Sequence, residues 1–110
     1  MCIFRRRLVF RRGARLELEA AIRLDKTQID AHYDLGVVLG DLGESRLAEA
    51  SYRTTLALDP THADAHNNLG IILARRGDLA EAATHFAEAV RIDPDNKKAA
   101  ANLARATGSR

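Results

Sequence analysis

Residues His32 to Gly36 read HYDLG and residues His66 to Gly70 read HNNLG, so one pattern returns after 34 positions. The same offset relates Gly43 to Gly77, Ala48 to Ala82, Tyr52 to Phe86, and Leu58-Asp59-Pro60 to Ile92-Asp93-Pro94. It runs back to Leu18, Ala21, Ile22, Leu24 and Asp25, and forward to Asn102 and Leu103. A period of this length at chemically matched positions means one supersecondary unit in tandem. Such a unit is too small to bury its own apolar face and covers it with its neighbour.

Each period divides into two helical segments. In Asp30 to Leu42 the apolar residues Leu35, Val38, Leu39 and Leu42 fall three and four apart, on one side of a 3.6-residue helix. Gly43 supplies a turn, and a second helix from about Ser45 to Leu58 ends before Pro60, because proline inside a helix removes a hydrogen bond and clashes with the preceding turn. The second period repeats this layout with Ala63 to Arg76, a turn at Gly77-Asp78, and Leu79 to Ile92 before Pro94. Ser45, Thr61 and Asp78 are the expected N-caps, Asp78 in a capping box with Glu81. Short turns force antiparallel helices. With no Trp, three Phe and two Tyr, the core must be built from Leu, Ile, Val and Ala.

Several function classes lose their footing. The single cysteine, Cys2, can form no internal disulfide and no multi-cysteine zinc site, and a reducing cytoplasmic setting is the expectation. The longest apolar run, Leu69 to Ala74, is far short of the roughly twenty residues a membrane span needs. No phosphate loop, nucleophile elbow or HExxH pattern occurs. Ser51, Thr54 and Thr55 have no sequence-defined base, and His62 and His66, four apart, have no third metal ligand. We therefore expect neither catalysis nor a cofactor or metal, and read His32 and His66 as equivalent inter-helix residues.

The residues Leu35-Gly36, Leu69-Gly70, Gly43, Gly77, Ala48, Ala82, Tyr52, Phe86, Pro60 and Pro94 together resemble the tetratricopeptide repeat family. The resemblance covers two complete units, 29–62 and 63–96, between a half-repeat at 13–28 and a capping helix at 97–106. A basic arm or degenerate helix at 1–12 precedes this 13–106 domain, and a tail, 107–110, follows. The resemblance implies an all-α fold of antiparallel helix-turn-helix repeats in a short right-handed superhelix. Its first helices line a concave surface that binds a peptide segment of another protein. Departures are His32 and His66 where the family often has a large aromatic, Thr55 where alanine is usual, and Ser45 opposite Leu79.

Carried onto this sequence, that geometry places Asp30, Tyr33, Asp34, Val37 and Asp41 on the concave face. Asp64, Asn67, Asn68, Ile71 and Arg75 follow from the second unit, and Lys98, Ala101, Asn102 and Arg105 from the last helix. The expected channel is mixed polar and apolar and centred near Asn67, Asn68 and Ile71. The three asparagines would meet peptide backbone groups, and Tyr33, Val37 and Ile71 apolar side chains. The family's clamp for a C-terminal carboxylate is matched at Asn68 and Lys98 and departed from at Tyr33, Val37 and Asn102. Lys98 and Arg105 suit an acidic segment, whereas Asp30, Asp34, Asp41 and Asp64 suit a basic or neutral one.

Two other readings use the chain's ends. Residues 1–15 hold six arginines and no acid, whereas the rest carries fifteen acidic and eleven basic side chains. The arm could touch anionic lipid or nucleic acid, but the acidic body disfavours both. The incomplete units could instead associate with a second copy as a self-assembling adaptor.

Overall fold

The computed structural model describes the backbone of residues 3–108 and the side chains of residues 11–108. Six helices follow in order: α1 Ile3–Leu24, α2 Ile29–Asp41, α3 Ser45–Leu58, α4 Ala63–Arg76, α5 Leu79–Ile92 and α6 Lys97–Thr107. The protein is all-α, and its helix-turn-helix pairs repeat as the 34-residue period requires. The backbone of α1 is helical from the expected basic arm through the expected half-repeat. Cys2, the side chains of Ile3 to Phe10 and the last two tail residues lie outside the described set.

The chain forms two compact units, Met1–Leu58 and Asp59–Arg110. In the first, α2 packs against both α1 and α3. Its buried residues include Ala31, Leu35, Leu39, Ala48 and Tyr52. Tyr52 crosses Gly36, whose missing side chain would stand 2.6 Å from the tyrosine ring. Tyr33 packs on the same ring, with centroids 5.8 Å apart. In the second unit α5 packs against α4 and α6. Ala65, Leu69, Leu73, Ala82, Phe86, Ala89 and Ala99 are buried, and Phe86 lies over Gly70 as Tyr52 lies over Gly36.

The turns follow the sequence in kind and differ in detail. Gly77 caps α4 in the left-handed region at φ 94°, with its N–H bonded to the Ala74 carbonyl, a conformation that costs glycine no steric strain. The cap of α4 is His62 rather than Thr61: the His62 Nδ1 accepts from the Ala65 N–H. Thr61 instead donates both its N–H and its hydroxyl to the Asp59 carboxylate. Ser45 is the first residue of α3, so it does not hold the position just before the helix. Asp78 does stand at the N-cap of α5, but its carboxylate accepts from Arg76 Nε at 2.9 Å and makes no cap bond. The expected capping box is not formed.

The Asp59–Thr61 turn has its counterpart 34 residues earlier in Asp25–Thr27. In both, the threonine hydroxyl and then the backbone N–H hold the carboxyl below its ordinary pKa. A depressed carboxyl contributes stability above its unfolded pKa, and that contribution disappears as pH falls through the lower folded value. Thr61→Val is therefore expected to lower stability at neutral pH and to make the acid-side slope of stability between pH 5 and 2 shallower, read from urea titrations at several pH values. An unchanged slope would refute the assignment.

Candidate functional site

The site is built most clearly in the second unit, where α6 lies beside α4 as well as against α5. Asn67 on α4 is buried, and its Oδ1 accepts from the Asn102 Nδ2 of α6 at 3.0 Å. This bond fixes the amide of Asn102 at the rim of a pocket of about 380 Å³. The walls are Ile71, Ala74 and Arg75 from α4, Leu79 and Phe86 from α5, and Asn102, Arg105 and Ala106 from α6. Arg75 and Arg105 occupy the last turns of their helices, where the partial negative charge of the carbonyl end favours a cation. Both are exposed, and neither has an ion-pair partner among the described residues. The pocket thus combines an apolar floor, one fixed amide and two available guanidinium groups.

Of the residues expected on this face, Ile71, Arg75, Asn102 and Arg105 come together at the pocket. Asn67 supports it from beneath, with its carbonyl oxygen committed to Asn102. Asp64 and Lys98 are exposed at the helix starts, Asn68 is half-buried, and none of the three lines the pocket. Leu79 and Phe86 were not expected there, because the family geometry assigns the surface to first helices only. Leu79, half exposed at the start of α5 and matched by a serine one period earlier, was the available signal.

In the first unit α2 carries the other five expected residues. Asp30 and Asp34 are exposed, Val37 is half-buried, and Tyr33 leans on Tyr52. Asp41 faces Arg11 of α1 at 3.5 Å, so this carboxylate is partly neutralised within the unit.

The histidines are engaged structurally. His32 Nε2 donates to the Lys26 carbonyl at 2.9 Å, and His66 Nε2 donates to the Pro60 carbonyl at 2.9 Å, again one period apart. A carbonyl can only accept, so a hydrogen sits on His66 Nε2, and His66 Nδ1 shares a hydrogen bond with His85 Nδ1, 3.0 Å away. Each ring ties the start of its helix to the preceding turn, which explains a histidine where the family often has an aromatic. Among the described residues no cluster of three or more histidine, cysteine or acidic groups could hold a metal ion. No helix among them is long and apolar enough to cross a membrane.

A sequence profile of the tetratricopeptide repeat covers residues 33–97, more than half of the chain. A search of curated proteins found no match. Among solved structures, MamA superposes with a TM-score of 0.85 at 24% identity, covering 89% of this chain and 57% of that one. YrrB, described as a TPR protein with an unusual peptide-binding site, gives 0.77 at 26% identity, covering 86% of this chain and 49% of its own. The second TPR domain of human RPAP3, solved in complex with the HSP70 peptide SGPTIEEVD, gives 0.76 at 20% identity and covers 82% and 75%. The chain therefore spans about half the length of MamA and YrrB. Fold and sequence together define a module of tandem helix-turn-helix repeats. The chain belongs to the tetratricopeptide repeat family.

Proposed function

We propose that this chain is a non-catalytic adaptor that binds an extended peptide of another protein on the α4–α6 face, with the Ile71–Arg105 pocket selecting an apolar side chain next to a carboxylate. The observation that carries this reading is the pairing of Arg75 and Arg105, both without an ion partner, over the floor of Ile71, Leu79 and Phe86. An arginine can hold a carboxylate with two parallel hydrogen bonds, and the neighbouring apolar surface gains from covering an aliphatic side chain. Asn102, held by Asn67, offers its remaining hydrogen-bonding capacity to the peptide backbone. Asn68, Lys98 and Asp64 are proposed to contact the residues flanking that carboxylate. The α2 face, with Asp30, Tyr33, Asp34, Val37 and Asp41, is proposed to take a neutral or basic segment. A cytoplasmic setting belongs to the same proposal and rests on the single cysteine.

YrrB's peptide-binding site and the RPAP3 complex support a peptide role for this fold. SGPTIEEVD combines acidic and branched apolar side chains and is a suitable first probe. Fluorescence anisotropy with this peptide, and with a version whose acids are replaced by lysine, tests the charge preference. The double substitution Arg75→Glu and Arg105→Glu should weaken acidic-peptide binding by about tenfold or more, since it replaces two attractions by two repulsions. Equal affinity of native and substituted chains for the acidic peptide would reject the site. A parallel loss in Asn68→Ala and Lys98→Ala would extend it toward the helix starts.

A further inference from the structure

The two ends of the helix series are complementary in register. In the first unit α3 lays Tyr52 over Gly36, and in the second α5 lays Phe86 over Gly70. The next position in one direction, 34 residues before Tyr52, is Leu18 on α1, and the next in the other, 34 after Gly70, is Ala104 on α6. Tyr52 and Phe86 are 4% and 2% exposed, whereas Leu18 and Ala104 are both only half-buried. The neighbouring positions keep the same seam. Ala14 and Ala21 stand where Ala48 and Thr55, and Ala82 and Ala89, are buried, and Leu103 stands where Leu35 and Leu69 are buried. Beside Ala104, a second groove of about 380 Å³ runs between Val90 of α5 and Ala100, Leu103 and Thr107 of α6.

The volumes of the two ends also match. A methyl group at Gly70 would lie 2.5 Å from Phe86 Cε1, 2.8 Å from Cδ1 and 3.0 Å from Cζ. Leucine has no Cε or Cζ atoms, so a leucine in that place removes two of the three collisions and leaves the one at Cδ1, which rotation of a branched aliphatic side chain can relieve more readily than a rigid ring can. Glycine beneath an aromatic ring and alanine beneath leucine are two solutions of one packing problem. This chain carries the first solution inside each unit and the two halves of the second at separate ends. We infer that α1 of one copy packs on α6 of another, Leu18 over Ala104, as α5 packs on α4. The contact is head-to-tail and heterologous, so each copy offers one α1 and one α6 to other copies.

Charge does not drive this contact. The described part of α1 carries Arg11, Arg12, Arg15 and Arg23 against Glu17 and Glu19, and α6 carries Lys97, Lys98 and Arg105. The association is apolar, and a single helix-on-helix contact stands at the small end of specific interfaces, so it is weak and strengthens with concentration. Sedimentation velocity of the native chain from low micromolar to near-millimolar concentration should show a rising mean mass that persists in high salt. Ala104→Glu and Leu18→Glu should each weaken self-association by about tenfold or more while circular dichroism stays helical. An equimolar mixture of the two variants should form a dimer and nothing larger, because one intact α1 meets one intact α6. A constant monomer mass for the native chain overturns the inference. So does undiminished association of either folded variant, as an α6-to-α6 contact would give, or failure of the folded variants to pair.

Discussion

Phe86→Ala is expected to cost about 3–5 kcal/mol of stability and with it the pocket on the α4–α6 face. The ring is 2% exposed, among the largest fully buried side chains, and covers Gly70. Truncation removes the transfer free energy of the ring and leaves a cavity that the surrounding helices can close only in part. Because a small domain is stable by only about 5–15 kcal/mol in total, the loss takes a large fraction of it. Urea unfolding followed by circular dichroism measures the effect, and a change below about 1 kcal/mol would show that the α4–α5 seam does not hold the unit together. Phe86 also forms part of the pocket wall, so peptide binding should fall along with stability. Phe86→Leu separates the two roles: it keeps most of the buried area and should retain the fold, while the altered pocket floor changes the preference for the apolar side chain.

The seam was legible in the sequence because its requirements recur. Gly36 and Gly70, the aromatics Tyr52 and Phe86, the small residues Ala48 and Ala82, and the stops at Pro60 and Pro94 each recur at one offset, and small residues are what the helix pairs need in order to approach; that each aromatic lies over a glycine is visible only in the fold. The helix starts were read less well. Thr61, Ser45 and Asp78 are all good capping residue types, but Ser45 falls inside the first turn of its helix and the other two have a nearby competitor. Asp59 takes the hydroxyl of Thr61, Arg76 takes the carboxylate of Asp78, and His62 uses its ring nitrogen where a threonine oxygen was expected. Local side-chain partners decide between such options, and residue type alone does not rank them.

The same distinction holds for the candidate site. Ile71, Arg75, Asn102 and Arg105 follow from helix periodicity plus the resemblance, since positions four apart on α4 share a face. Leu79 and Phe86 enter from a different helix, through packing that a one-dimensional pattern does not display. Asn67 shows the limit most clearly. The resemblance puts it on the concave face, whereas in the structure it is buried, and its 3.0 Å bond to Asn102 shows that it serves to orient a neighbour.

Gly70→Ala should destabilise the chain, although alanine is the better helix former by about 1 kcal/mol. The added methyl would stand 2.5 Å from the Phe86 ring, and the ring is 2% exposed and cannot turn away without displacing the packed core around it. Overpacking of this kind costs about 1–3 kcal/mol, so it outweighs the propensity gain. Gly40→Ala is the matched control. Gly40 also lies within a helix, but a methyl there meets nothing within 4 Å, and the substitution should stabilise by about 0.5–1 kcal/mol. The decisive variant adds Phe86→Leu to Gly70→Ala, which writes into the second unit the pairing that Leu18 and Ala104 hold in separate helices. The double variant should be more stable than the sum of the two single losses predicts, by about 1 kcal/mol or more of coupling, because each change removes the other's collision or void. Additive losses would mean that ring and glycine do not constrain each other, and that leucine over alanine gives the α1–α6 contact no advantage in fit.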